Sequence, residues 1–270
     1  MSGGARAAIT VRLVEHGKDA TVAHLTVANP GKLNVVGRAL MSELIAATGE
    51  LAATAGLRAV VLRGDGDKAF IGGADISEMA ELDSASACAF ITQLHQVCDG
   101  LRRLPVPVIA RIDGYALGAG LEIAASCDLR IASERAVLGM PEVRVGIPSV
   151  IEAALLPSLI GWGRTRRLLL TGETIAADEA QRWGLVERVV PAEALDDALG
   201  ALLDAILACG ANALRLQKEL ISYWEEHTIS QSVARGIASF AEAWGSDEPR
   251  RLMQRFLDAK RAKRGDTTPS

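Results

Sequence analysis

Residues 108–122 read Val-Ile-Ala-Arg-Ile-Asp-Gly-Tyr-Ala-Leu-Gly-Ala-Gly-Leu-Glu, and the fold turns on this stretch. Pro105 and Pro107 break a preceding helix, and Val108–Ile112 then reads as a strand. Residues 114–120 form a turn rich in small residues, and 121–127 read as a helix. Glycine and alanine at such a junction let backbone approach a ligand closely. The first turn of the next helix leaves N–H groups unpaired, which suits an anionic oxygen. Glu122 falls within or near that turn. The same spacing also serves a tight connection whose glycines only pack, and the stretch by itself leaves both readings open.

Working outward, the unit recurs. Residues 9–14 and 21–27 read as strands, the second followed by the turn signal Asn29-Pro30-Gly31. Leu40, Leu44, Ala47 and Leu51 recur at helical spacing within 37–54. Residues 58–63 form a buried-type strand, and 68–75 repeat the pattern of strand, Gly72-Gly73-Ala74 and the polar start of a helix. Two such turns can each give one N–H to a shared oxyanion hole. A helix over 85–104 and short strands at 129–132 and 137–138 complete an α/β pattern for the first two-thirds. After Pro191 the reading is all-helical: 192–209, 213–224, 229–244, then Ser246 as a helix cap before 251–260. The tail from Gly265 reads as frayed.

Composition narrows the function classes. Hydrophobic content of 49% in 270 residues predicts a sizeable core, and an aromatic content of 4% makes it a core of small aliphatic side chains. A net charge of −4 argues against a general nucleic-acid or anionic-membrane binder. The first residues carry no secretory pattern, and no apolar run reaches the roughly 18–20 residues of a membrane span. Cys88, Cys98, Cys127 and Cys209 form no CxxC pair and read as small buried hydrophobes in a reducing cytoplasm. His16, His24, His95 and His227 match no catalytic or metal spacing and read as structural.

Glu142 follows Met140-Pro141, a pair that by itself usually marks an exposed turn. Its interest lies in Glu122, twenty residues upstream, because two carboxylates facing one cleft can divide acid and base roles.

The order of these segments resembles the crotonase (enoyl-CoA hydratase/isomerase) superfamily. The family signature runs Asn/Asp-Gly-Tyr-Ala-Leu-Gly-Gly/Ala-Gly, two residues to a glutamate, then Cys-Asp and Pro-Glu. This chain reads DGYALGAGLEIAASCD and GMPEVRVGIP. KAFIGGADISEM resembles the first oxyanion loop, and LLLTGETIAADEAQRWGLVERVVP resembles the segment entering the helical C-terminus. The resemblance implies an α/β spiral of ββα units over residues 1–195 with an acyl-CoA site. An all-helical trimerisation region would follow over 196–270, in a homotrimer or a hexamer built as a dimer of trimers. It implies Glu122 and Glu142 as the acid/base pair and the Ala74 and Ala119 amides as oxyanion donors. Gly72, Gly73, Asp75, Ile76 and Gly118 would contact the substrate. Phe256 and Lys260 resemble an aromatic-plus-lysine pair that reaches the adenine or phosphate of coenzyme A. No metal or redox cofactor is implied, coenzyme A entering as part of the substrate.

Three departures qualify this expectation. After Pro148 the family usually continues with a Gly-Ala-Gly-Gly-Thr-type stretch that seats the water; here residues 149–156 read Ser-Val-Ile-Glu-Ala-Ala-Leu-Leu, with a loop one residue shorter. Glu152 is thereby admitted as an extra carboxylate near the cleft, against its ordinary reading as a first-turn glutamate on a helix dipole. Ser77 stands where relatives often carry a basic residue. The spacing at Phe256 and Lys260 is one residue longer than usual, and Lys260, Arg261, Lys263 and Arg264 also read as a solvated basic face. The expected activity is that of an enoyl-CoA hydratase. An enoyl-CoA isomerase using Glu142 alone is its rival, and a non-catalytic CoA- or RNA-binding member is the alternative of another class. The absence of lysine and arginine from residues 39–54 weighs against RNA.

Overall fold

Ten strands form among the residues described, 6–17 and 20–264, in this computed structural model: β1 (Ala8–Glu15), β2 (Thr21–Ala28), β3 (Leu57–Gly64), β4 (Ala69–Ile71), β5 (Val108–Ile112), β6 (Tyr115–Leu117), β7 (Leu129–Ser133), β8 (Val137–Gly139), β9 (Thr174–Ala176) and β10 (Arg188–Val190). Between them lie α1 (Arg38–Ala52), α2 (Ile76–Met79), α3 (Ser84–Arg103), α4 (Ala119–Ala125), α5 (Leu156–Ile160), α6 (Trp162–Thr171) and α7 (Ala177–Trp183). Two 3₁₀ turns, Glu142–Val145 and Ile151–Leu155, follow β8.

The chain feeds two sheets in alternation. β1-β2-β3-β5-β7-β10 make one and β4-β6-β8-β9 the other. All pairings are parallel except β1 with β2 and β8 with β9. Each turn of chain therefore gives one strand to each sheet and then a helix, which is the expected ββα spiral. Strands buried on both faces read as continuous apolar runs, as Val108–Ile112 does with all five residues buried. In α1 the predicted stripe of Leu40, Leu44, Ala47 and Leu51 is buried, and the helix packs against α3. Burying each such leucine contributes about 1.5–3 kcal/mol. Leu25, Leu62, Phe70, Ile71, Ile109 and Leu121 are fully buried, and aliphatic side chains dominate the core.

The chain divides into two units, Met1–Asp204 and Ala205–Ser270, with the break inside α8 (Leu195–Leu207). The second unit holds α9 (Ala211–Glu226), α10 (Ile229–Ala243) and α11 (Glu248–Arg264), and α9 packs on α10. Thr228 caps α10, its hydroxyl accepting from the Gln231 N–H while the Gln231 side chain accepts from the Thr228 N–H. No single helix among the described residues is long and apolar enough to cross a membrane.

Several expectations need correction. The turn 114–120 contains the strand β6, and α4 begins at Ala119, because pairing with β4 and β8 captures Tyr115–Leu117. Residues 192–194 form a 3₁₀ turn before α8. Ser246 does not cap a helix; its hydroxyl donates to the Ala243 carbonyl at the end of α10, and α11 starts at Glu248. Cys98 and Cys127 are buried, but Cys88 and Cys209 are exposed. The tail from Gly265 and the side chains of Lys263 and Arg264 lie outside the described residues.

Candidate active site

β4 and β6 are parallel neighbours, so the chain leaves both strands at the same edge of the second sheet. From β4 it passes through Gly72 and Gly73 to Ala74; from β6 it passes through Gly118 to Ala119. These five residues line one cavity of about 660 Å³. Val36 donates to the Gly73 carbonyl at 2.9 Å and accepts from the Asp75 N–H at 3.0 Å. That bridge uses the groups flanking Ala74, which leaves the Ala74 N–H on the opposite edge of the segment. Ala119 is the first residue of α4, so its N–H has no intrahelical acceptor.

Two glycines make the approach possible. Gly118 has φ +53, and a Cβ there would stand 2.4 Å from Glu142 Oε1. A Cβ on Gly120 would stand 2.0 Å from the Ile71 carbonyl oxygen, so α4 can press against β4 only with glycine at that position.

Glu122 is buried on the first turn of α4, and Glu142 is half-buried in the turn Glu142–Val145; both line the cavity. The convergence that a sequence cannot display is therefore present. Glu122 Oε1 accepts from the Ala153 N–H at 3.2 Å, and Glu142 Oε2 accepts from the Ser149 hydroxyl at 2.8 Å. Burial first, and then the Glu142 charge, push the Glu122 carboxyl up to about 8; the Ala153 N–H opposes this and Glu152 adds to it. Glu122 thus holds a proton near neutrality in the field of a second carboxylate.

The stretch that departs from the family pattern holds both glutamates. Ser149 reaches Glu142, Ala153 reaches Glu122, and between them Ile151 has φ +39. A β-branched residue in that region costs on the order of 1–3 kcal/mol, which the surrounding packing must offset. Glu152 does fall in the first turn of Ile151–Leu155, but its solvated reading is wrong: the side chain is buried and Oε1 lies 2.8 Å from His95 Nδ1.

The other expected residues divide. Ile76 lines the cavity. Asp75 does not; its carboxylate caps α2 by accepting from the Ser77 N–H at 2.9 Å and pairs with Lys32 at 3.0 Å. The Lys32 hydrogen bond holds the Asp75 carboxyl below its usual range. Phe256 and Lys260 are exposed one turn apart on α11, in the second unit. Sequence reasoning gave no role to Ser149, Ala153 or His95, although the departure from the glycine-rich pattern was the available signal. Asn34 also went unnoticed: its side chain donates to the Asp65 and Ala69 carbonyls and accepts from the Asn29 N–H, fixing the start of β4. The rest of the cavity is largely apolar, with Phe90, Ile91 and Leu94 from α3 and Ile147 and Val150 beyond Glu142.

An apolar cavity with two carboxylates and two strand-end amides is matched by known proteins. The profile of the Enoyl-CoA hydratase/isomerase family matches residues 17–266. The chain is 35% identical over 245 residues to a short-chain-enoyl-CoA hydratase of Clostridium acetobutylicum, covering 90% of this chain and 94% of that protein. It is 32% identical over 246 residues to a crotonyl-CoA hydratase of Syntrophomonas wolfei, with 91% and 95% covered. The crystal structure of an enoyl-CoA hydratase from Bacillus anthracis superimposes with a TM-score of 0.87 at 31% identity, over 93% of this chain and 96% of that one. Similarity in fold, in sequence and in the segments that build the cavity runs through nearly the whole chain, which belongs to the enoyl-CoA hydratase/isomerase family.

Proposed function

We propose that this chain is an enoyl-CoA hydratase that adds water across the 2,3-double bond of a 2-enoyl-CoA. The observation that carries this reading is the meeting of Glu122 and Glu142 in one cavity with the Ala74 and Ala119 turns. The names of the relatives support the substrate class.

The thioester carbonyl sits against the Ala74 and Ala119 N–H groups, which stabilise the negative charge that develops as the enolate forms. Each donor contributes about 3–4 kcal/mol to the transition state. Glu142, ionised and steadied by the Ser149 hydroxyl, takes a proton from water as the water oxygen bonds to C3. Glu122, protonated near neutrality, gives its proton to C2. Proton transfer from Glu142 to Glu122 restores the starting state, so the pair carries one proton throughout. Amides and carboxylates supply the chemistry, and the mechanism uses no metal or redox cofactor.

Gly72, Gly73, Ile76 and Gly118 shape the thioester site, while Phe256 and Lys260 on α11 supply the coenzyme A contacts. Asp75 acts indirectly, by capping α2. The first 195 residues form the catalytic core and 196–270 the assembly region of a homotrimer or a dimer of trimers. An apolar stripe on α10 supports assembly: Ile229, Val233, Ile237 and Phe240 are exposed at helical spacing. Four free cysteines suit a cytoplasmic location.

Isomerisation of a 3-enoyl-CoA by Glu142 alone is the second reading, favoured by the altered stretch from Ser149. Loss of the conjugated-thioester absorbance of crotonyl-CoA, with its hydrated product identified, separates the two. Hydration is expected; turnover confined to 3-enoyl-CoA substrates would replace it with the isomerase, and turnover of neither would sink both.

A further inference from the structure

Glu152 is a buried carboxylate that the hydration chemistry does not use. Its Oε1 lies 2.8 Å from Nδ1 of His95, a half-exposed residue of α3, and its Oε2 is buried with no hydrogen-bond partner. An unsatisfied buried acceptor costs on the order of 1–3 kcal/mol. It adjoins Ile151 at φ +39, and the next residue, Ala153, gives its N–H to Glu122. Strain and an unpaired buried charge thus coincide in the turn that holds Glu122, and such costs concentrate where function retains them. The titratable groups around this point are His95 and Cys98 from α3, Glu122 from α4 and Glu142 from its 3₁₀ turn. Burial and then Glu152 push the Cys98 thiol up, which keeps it neutral. No cation other than His95 appears among them.

We propose that Glu152, anchored by His95, is a positioning residue that keeps the shared proton on Glu122 and so fixes which cavity glutamate acts as acid. The assignment rests on the hydratase reading and deepens it. Two carboxylates that share one proton need an asymmetry to decide where it resides. The Ser149 hydroxyl favours charge on Glu142. The Glu152 charge, beside the residue that binds Glu122, disfavours charge on Glu122. His95 donates to Oε1 and holds that carboxylate in place. With both biases present, Glu122 is ready to protonate C2 and Glu142 to accept from water.

The test is the pH dependence of kcat/KM for crotonyl-CoA in Glu152→Gln, which keeps the side-chain shape and removes the charge. The limb set by loss of the Glu122 proton should move to lower pH by roughly half a unit or more. His95→Ala strips Oε1 of its donor and favours neutral Glu152, so it should move the limb the same way; His95→Gln, which keeps a donor, should move it less. A merely structural role would lower activity at every pH and leave the limb in place, which would overturn the proposal. Titration of the glutamate side-chain carboxyls by 13C NMR, assigned through Glu122→Gln, reads the Glu122 pKa without turnover. A protein that hydrates nothing yet shows the shift in Glu152→Gln would refute the hydratase reading and leave the influence of Glu152 on Glu122 standing. An unmoved Glu122 titration in an active enzyme would refute the proposal alone.

Discussion

The Ser149 hydroxyl donates to Glu142 Oε2 at 2.8 Å, and four residues later the Ala153 N–H donates to Glu122 Oε1. One short turn therefore anchors both carboxylates, each by one oxygen, and leaves the other oxygen of each for the reacting atoms. Here the departure from the glycine-rich family pattern supplies a side-chain donor in the loop that glycine could not provide.

Removing that donor has a defined consequence. Ser149→Ala should lower kcat about 10- to 100-fold, the range set by about 1.5–3 kcal/mol for a hydrogen bond to a charged group. KM should change little, since the hydroxyl faces Glu142 rather than the thioester. Steady-state kinetics on crotonyl-CoA decide the matter; an unchanged kcat would show that Glu142 needs no such anchor.

Gly118→Ala should be more damaging. The new Cβ would lie 2.4 Å from Glu142 Oε1 at a backbone φ of +53. Glu142 must rotate away or β6 must shift, and a displacement of about 1 Å can cost on the order of 100-fold in rate. The expected result is a folded protein with kcat reduced by about that factor or more and a lower Tm. Wild-type activity in Gly118→Ala would contradict the placement of Glu142.

The architecture was far more legible than the site. Continuous apolar runs such as Val108–Ile112 and the stripe Leu40, Leu44, Ala47, Leu51 specify their own burial, because period and composition are local properties. β6 was hidden within a small-residue turn, since its strand state comes from neighbours on both sides rather than from β propensity. Glu122 and Glu142 stood out through their motifs, but their meeting depends on parallel pairing between distant segments. The burial of Glu152 and its contact with His95, 57 residues apart in sequence, had no local signal at all. Asp75 looked like a ligand contact because it follows Gly72-Gly73-Ala74, yet capping α2 and pairing with Lys32 account for it.

Stability should fall as pH rises, on account of Glu122. Its folded carboxyl is raised from 4.5 to about 8. Below the unfolded value both states hold the proton and its contribution is fully present. Between the two values the unfolded chain releases the proton and the folded protein keeps it, so stability declines through that window. The loss amounts to several kcal/mol. Glu122→Gln should flatten this slope and melt several degrees above the wild type near pH 8–9. Parallel Tm–pH curves for the two proteins would mean that Glu122 is ionised at neutral pH and that the acid/base assignment is wrong.

The central claim is that Glu122 and Glu142 act as a pair on one thioester substrate. Its most direct test is the initial rate of crotonyl-CoA hydration by Glu122→Gln and Glu142→Gln beside the wild type, with folding checked by circular dichroism. Paired acid/base chemistry predicts a fall of about 100-fold or more in each variant, and a double variant little worse than either single one. Full activity in folded Glu122→Gln, with loss confined to Glu142→Gln, would contradict the pair and leave a one-carboxylate enzyme.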